Sequence, residues 1–264
     1  MVVDNLGDRM KNYYENRSKT YLTRRMPVII RIDGCHFHTF CKGLQKPFDP
    51  IFIKTMQETT KALCENIQGC KLGYVESDET SLLLTDYDNL QTDAWFDYSV
   101  QKICSVAASM AALFFNKYWQ KNVIEFSCKS TNEEYYETLK KKYELGAYFD
   151  ARAFNIPKEE ITNYFIWRQN DATRNSIQGL AQANFSQKQI QSLNNTQLQD
   201  KLHEEKGINW NDCKTVEKRG SCVIHFFDES INRSKWIIDE EIPIFTQNRD
   251  YIENILKKIE LPEK

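Results

Sequence analysis

The stretch Pro27-Val28-Ile29-Ile30-Arg31-Ile32-Asp33-Gly34 decides the reading of the fold. Its β-branched residues pack well on a pleated surface and poorly in a helix, so Val28–Ile32 reads as a short buried strand. Pro27 suits the first position of a strand, where no ladder hydrogen bond is lost. Asp33-Gly34 supplies turn chemistry that ends it. Working outward, Pro50 to Ile67 places Phe52, Met56, Leu63 and Ile67 on one helical face, with proline at the start and Gly69 at the stop. Lys71–Val75 reads as a second strand, Glu76-Ser77-Asp78-Glu79 as a polar turn, and Thr80–Thr85 as a third strand completing a hairpin. Residues 96–119 form a long helix with a middle rich in Ala, Ser and Met. Phe149 to Ile156 alternates as a strand and stops at Pro157.

The order is β-α-β-β-α-β, the ferredoxin-like pattern of an α+β fold with an antiparallel sheet. A short strand at Val123–Phe126 and a charged helix near 132–143 read as insertions before the last strand. Residues 1–26, charged and aromatic, read as a helix leading into the core. After Pro157 the character changes: 158–206 is helical and rich in Gln and Asn, followed by a strand at Cys222–Phe227 and an apolar run at Trp236–Ile238. The chain therefore divides into an α+β unit over 1–157 and a second, mainly helical region over 158–264 packed on it.

This topology gives two acidic positions a reason to meet. Asp33 ends the first strand and Asp78 sits in the hairpin turn, 45 positions later. In a β-α-β-β-α-β sheet the third strand lies between the first two and runs antiparallel to both, so its start lies beside the end of the first. Asp33 and Asp78 converge at one end of the sheet, with Glu79 following immediately. Clustered carboxylates repel unless a cation lies between them. Mg²⁺ commonly takes one or two carboxylates plus substrate phosphates, and two such ions about 3.5–4 Å apart serve phosphoryl chemistry. Gly34 has no side chain, which leaves its carbonyl and the following amides open to phosphate or metal. Taken singly, Asp-Gly is an ordinary turn and Ser-Asp-Glu an ordinary solvated hairpin tip.

Composition bounds the partners. The 264 residues carry a net charge of −2 and a sequence pI near 6.2, so any nucleic-acid site is a local patch and not a global basic field. The eight cysteines form no C-x-x-C pair and complete no zinc pattern with histidine; they read as small core residues in a reducing compartment. The longest apolar stretch, Cys104 to Phe115, is too short to span a bilayer, and the start shows no signal-peptide core. The expected location is the cytoplasm, away from membranes.

The motifs together resemble the tRNA(His) guanylyltransferase family. Arg31-Ile32-Asp33-Gly34-x-x-Phe37-His38-x-Phe40 resembles its first signature, continued by Lys46-Pro47-x-x-Asp49. Ser77-Asp78-Glu79-x-Ser81 resembles the second, and Phe149-Asp150-x-Arg152 a third. The similarity runs from about residue 5 to the C-terminal end. Trp167 to Ser176 resembles the bacterial and archaeal branch of that family rather than its eukaryotic members.

The resemblance implies a polymerase-like palm over 1–157, a fingers-like, tRNA-contacting region over 158–264, and a nucleotidyltransferase that extends RNA 5′ ends in the 3′-to-5′ direction. It implies ATP activation of the 5′ phosphate, two Mg²⁺ ions, and ATP, GTP and other NTPs as substrates. On this analogy Asp33, Asp78 and Glu79 are catalytic, and Asp33, Gly34 and Asp78 hold metal. Asp33, Gly34, Cys35, His36, Phe37, His38, Lys46, Ser77 and Asp78 contact nucleotide. The branch implies template-dependent repair of truncated tRNA 5′ ends, with G−1 addition to tRNA(His) as a further activity, and the family tends to homotetramers.

Arg152, Arg168, Asp171, Arg174, Asn175, Lys218 and Arg219 are the candidates for tRNA contact, since guanidinium forks suit phosphate. On the residues alone, 168, 171, 174 and 175 recur at helical spacing and are equally a solvated helix face. His36 and His38 are loop histidines, a residue type that serves as a catalytic base, and are equally half-buried loop residues. The chain departs from the family pattern at Cys35, often Arg, and Glu76, often Gln. The same carboxylates would serve another palm enzyme, a cyclase or forward polymerase. A non-catalytic RRM-like module would need stacking aromatics on its central strands, and Ser81–Thr85 offers none.

Overall fold

Six strands build one sheet: β1 (Val28–Gly34), β2 (Cys70–Glu76), β3 (Glu79–Leu84), β4 (Phe149–Asn155), β5 (Ser221–Asp228) and β6 (Arg233–Asp239). Their order is β4-β1-β3-β2-β5-β6, every neighbour antiparallel. The computed structural model describes residues 5–228 and 233–257. Its helices are α1 (Asn5–Tyr13), α2 (Phe37–Phe40), α3 (Pro50–Asn66), α4 (Val100–Lys129), α5 (Glu133–Leu145), α6 (Ile161–Asn184), α7 (Gln187–Ile190), α8 (Asn195–Lys206), α9 (Thr215–Arg219) and α10 (Asp250–Lys257). The fold is the expected α+β palm, and β3 lies between β1 and β2 as the topology requires.

Alternation along β1 sets the two layers. Val28, Ile30 and Ile32 join Phe52, Met56, Leu63, Ile103, Phe115 and Trp119 in a core under α3 and α4. Ile29 joins Leu72, Tyr74 and Leu83 on the opposite face, covered by Ile161, Tyr164 and Phe165 of α6 and by Ile252 and Leu256 of α10. The Asp49 carboxylate caps α3 by accepting from the Ile51 and Phe52 amides at 2.9 Å, and Pro50 fills a first-turn position that needs no donor. At Gly73 a Cβ would stand 2.6 Å from Cys64 Sγ and 2.9 Å from Thr60 Cγ2, so glycine permits the close approach of α3 to β2.

Four expectations change. Val123–Phe126 is not a strand but part of α4, whose buried Phe115, Trp119, Asn122 and Val123 keep helical spacing. Asn122 also bonds Thr55 Oγ1 at 3.1 Å and Glu58 Oε2 at 2.8 Å across the α3 interface. The helix expected from 96 begins at Val100, because Phe96, Asp97 and Tyr98 hold left-handed backbone angles. Of residues 1–26, only Asn5–Tyr13 and a 3₁₀ turn at Glu15–Ser18 are helical, neither burying a residue; residues 1–4 lie outside the described ones. Finally, the region after Pro157 gives two strands to the palm sheet. Leu72 to Val75 of β2 pair with Ile224 to Ser221 of β5, which in turn pairs with β6. The remainder is helical: the end of α6, α7 and α8 enclose their own cluster of Ile177, Leu180, Leu198, Leu202 and Trp210. No helix among the described residues is long and apolar enough to cross a membrane.

Candidate active site

The register carries the acidic residues to one end of the sheet. Asp33 faces Glu79 on β3 and Asp150 on β4. The two-residue turn Ser77-Asp78 joins β2 to β3, with Ser77 in the left-handed region at φ 48°. The Asp78 carbonyl accepts from the Gly34 amide at 3.1 Å, which fastens the turn to the end of β1. Gly34 is forced by packing as well, since a Cβ there would lie 2.3 Å from the Phe37 ring.

Burial raises the Asp78 pKa, and the Asp33 charge raises it further, against a 3.1 Å hydrogen bond from Ser77 Oγ. Among the described residues neither Asp33 nor Asp78 is ion-paired, whereas Glu79 is. Glu79 faces Arg168 Nε at 2.7 Å and Arg31 Nε at 4.0 Å, both as charge contacts without hydrogen-bond alignment, and it accepts from Arg168 Nη2 at 3.0 Å. Burial raises Glu79 too, with Arg168 and Arg31 opposing the rise. Glu79 therefore braces the site from within a charge network rather than offering a free ligand.

That network is centred on Arg168, which is buried. It was expected on a tRNA-facing surface, but its guanidinium meets Glu76 at 2.6 Å and Asp171 at 3.2 Å besides Glu79. The Glu76 carboxyl is pushed up to about 8 by burial, with Arg168 the largest opposing influence. Three carboxylates thus face Arg168, Arg31 and Arg174, the last paired with Asp171. Glu76 and Glu79 flank Ser77-Asp78 on either side, so Arg168 clamps the roots of the turn to α6.

The nucleotide-contact candidates separate in space. Phe37 packs inside the core against Phe40, Phe52, Phe115 and Phe149, so only its backbone is open to a ligand. His36 and His38 are exposed with ring centroids 6.5 Å apart, His38 Nε2 lying 3.1 Å from Thr39 Oγ1. Cys35 Sγ turns to Asp150 Oδ2 at 3.7 Å; burial first and then Asp150 raise its pKa, so it stays a neutral thiol. Lys46 lines a cavity of about 300 Å³ together with Cys41, Phe52, Ser77, Asn175 and Glu217. Its loop is tied down by Tyr135, which donates to Asp49, and by Lys142 Nζ, which donates to the Lys42 carbonyl at 2.8 Å.

Among the tRNA candidates, Arg152 is exposed on β4 and 3.5 Å from Asp150, and Arg174 and Asn175 are exposed on α6. Lys218 is buried, its Nζ donating to the Asn211 carbonyl at 2.5 Å over the Trp210 ring. Arg219 accepts the Tyr74 hydroxyl on its carbonyl at 2.6 Å. Lys218 and Arg168 are thus spent on internal contacts; a helical charge pattern reads alike whether it faces water or protein. The sequence reading gave Arg31 and Trp167 no role, although both stand at the site. Only their neighbours in space, Glu79 and Arg168, reveal it.

A family model described as tRNAHis guanylyltransferase matches residues 7–157. The chain belongs to the tRNA(His) guanylyltransferase family. Members of this family are nucleotidyltransferases, and so is this protein. A bacterial tRNA(His) guanylyltransferase (Thg1)-like protein solved in complex with ATP is 47% identical, with a TM-score of 0.80 over 95% of this chain and 98% of that one. A second such structure, in complex with GTP, is 44% identical at the same TM-score, over 98% of this chain and 100% of that one. An uncharacterized protein of Acanthamoeba polyphaga mimivirus is 26% identical over 97% of this chain and 89% of its own.

Proposed function

We propose that the protein is a template-dependent 3′-to-5′ polymerase that restores missing nucleotides at the 5′ end of tRNA. The observation that carries the reading is the junction of Asp33 and Asp78, fastened by the Gly34–Asp78 hydrogen bond and opening beside the cavity of Lys46 and Ser77. ATP and GTP complexes of the bacterial relatives support nucleoside triphosphates as substrates here. In the first step the RNA 5′ monophosphate attacks the ATP α-phosphorus and pyrophosphate leaves. In the second the 3′-hydroxyl of the incoming NTP attacks the activated 5′ phosphate and AMP leaves. The base is chosen by pairing with the opposite strand, so the protein grips RNA by shape and phosphate. G−1 addition to tRNA(His) is the same chemistry on another end.

The donor set fits Mg²⁺. Two crowded carboxylates without a paired cation, beside a glycine carbonyl, suit a hard ion that takes its remaining ligands from water and phosphate. Among the described residues no group of three or more His, Cys, Asp or Glu forms a closed cage, as a structural zinc would need. Asp33, Asp78 and the Gly34 carbonyl would hold two ions, which neutralise phosphate charge and acidify a bound hydroxyl. Lys46 and Ser77 would orient the triphosphate beside the metal that Asp33 and Asp78 hold. A homotetramer acting in the cytoplasm completes the reading.

The test supplies Mg²⁺, ATP and all four NTPs with two 5′-monophosphorylated tRNAs, one intact and one lacking its first nucleotide. Extension of the truncated tRNA alone, by the templated nucleotide, and its loss in Asp33→Ala and Asp78→Ala, is the expected result. NTP turnover without RNA extension would instead mark a cyclase-like palm enzyme and overturn the proposal.

A further inference from the structure

The Lys46 cavity lies between the β2–β3 turn and the α6 residues Ala172, Asn175 and Ser176. One to two turns earlier on α6, Trp167 stands 52% exposed on the other side of Arg168, its ring centroid 4.6 Å from the Arg168 guanidinium carbon. The Arg31 guanidinium carbon lies 5.9 Å from the same ring. Arg31 pairs across the ladder with Arg152, and directly opposed residues share a face. Phe154, one pleat repeat beyond Arg152, is half-exposed and contacts Tyr164 edge-on at 6.0 Å, which contacts Trp167 at 5.7 Å.

Helix α6 therefore covers β2, β3 and Ile29 of β1 and leaves the edge strand β4 open on the same face. Phe154 and Arg152 project from β4 there, Trp167 of α6 borders them at 52% exposure, and the Arg31 side chain, 19% exposed, lies between. Asp33 follows Arg31 by one pleat repeat, roughly 7 Å along the strand. Solvent-exposed aromatic rings interleaved with arginines on a sheet are the surface on which RNA bases stack while phosphates are held. No described neighbour completes the burial of the Trp167 indole.

We propose that this face receives the end of the RNA substrate, with Trp167 stacking on its terminal base or base pair, while the Lys46 cavity takes the triphosphate. The proposal rests on the RNA-directed reading above and assigns its two substrates to opposite sides of Asp33 and Asp78. Neither Trp167, Phe154, Arg31 nor Arg152 lines the cavity, so the incoming nucleotide and the RNA end do not compete. Both arginines are partly neutralised, Arg152 by Asp150 at 3.5 Å and Arg31 by Glu79 at 4.0 Å. Stacking, which salt does not screen, therefore carries more of the grip here than phosphate attraction does.

The experiment uses the full chain with a 5′-monophosphorylated RNA hairpin lacking its first nucleotide, and follows tryptophan emission during titration. Trp95, Trp119 and Trp210 are buried and Trp236 is half-buried, which leaves Trp167 as the indole open to a base. RNA is expected to quench the wild type. Trp167→Phe should bind RNA within a few-fold and lose most of the quench. Trp167→Ala should raise the RNA Kd roughly 5- to 100-fold, as one lost base stack does, with ATP binding by equilibrium dialysis unchanged. Phe154→Ala, on a different element, should weaken RNA binding without the Trp167 change, which guards against a folding defect of the helix variant.

An undiminished quench in Trp167→Phe, or RNA Kd values unchanged in both alanine variants, overturns the stacking face while the polymerase reading stands. Quenching by ATP alone assigns the ring to the triphosphate and also overturns it. A wild type that binds and extends no RNA brings down the functional reading, and the stacking face with it.

Discussion

Replacing Glu76 by Gln tests the account of the charge network most directly. Glu76 is 6% exposed, and its carboxyl is held up to about 8 chiefly by burial. The unfolded chain releases this proton in the ordinary carboxylate range. The folded chain keeps it to about pH 8, so between those values the native state binds more protons than the unfolded state. Stability from this group is fully present below the ordinary range and is lost as pH rises toward 8. With about 1.4 kcal/mol per pH unit within that window, the loss between pH 5 and pH 8 is roughly 3 kcal/mol.

The amide of Gln is nearly isosteric, and its oxygen still accepts from Arg168 Nη2, which lies 2.6 Å from Glu76 Oε1 in the wild type. It does not titrate. Urea unfolding of the wild type and Glu76→Gln at half-unit steps from pH 5 to 8.5 therefore separates this group from all others, because Asp78 and Glu79 titrate in both proteins. The wild type should fall below the variant progressively by that roughly 3 kcal/mol. Parallel curves would refute the reasoning, since they would mean that Arg168 keeps Glu76 ionised throughout and that burial is outweighed by the ion pair.

Above pH 8, where Glu76 has lost its proton, Arg168→Met strands Glu76 and Glu79 without their main counter-charge and should cost about 3–5 kcal/mol, the usual result of breaking a buried pair, with a matching drop in the urea midpoint. A second change, Glu76→Gln in that background, should recover part of the loss. Asp78→Asn removes a carboxyl whose pKa is raised by burial and by Asp33, so in EDTA near neutral pH the variant should melt above the wild type. Mg²⁺ at about 100 times its Kd should then stabilise the wild type by about 2.7 kcal/mol and leave the variant unmoved; equal stabilisation by calorimetry would remove Asp78 from the metal site. Gly73→Ala drives a methyl against Cys64 and Thr60 and should cost about 1–3 kcal/mol of overpacking, read as a melting point lower by several degrees.

The sheet was legible because its signals are local. Val28–Ile32, Lys71–Val75 and Thr80–Thr85 are short runs bounded by turn residues, and chain order alone then places β3 between β1 and β2. From that order Asp33 and Asp78 meet. Val123–Phe126 misled because Val, Ile and Phe are strong strand formers, while the deciding signal is the helical spacing from Phe115 through Val123. The pairing of β5 with β2 had no local signal; it depends on an edge left free by the order of the other strands.

The arginines mark where residue-by-residue reading runs out. Arg168 and Arg174 lie six positions apart on one helix and look alike in sequence, yet one is buried among three carboxylates and the other is exposed. What separates them is Glu76 and Glu79, about ninety positions earlier, brought under α6 by the hairpin. A buried guanidinium of this kind cannot be exchanged for a lysine without losing its fork of contacts. The glutamate at 76 and the depth of Arg168 are therefore one feature. The added carboxylate is tolerated beside two acidic catalytic candidates because Arg168 faces it, and it sets a proton at the root of the turn that carries Asp78. Coupling between 76 and 168 in a double-mutant cycle should accordingly exceed that between 76 and the exposed Arg174.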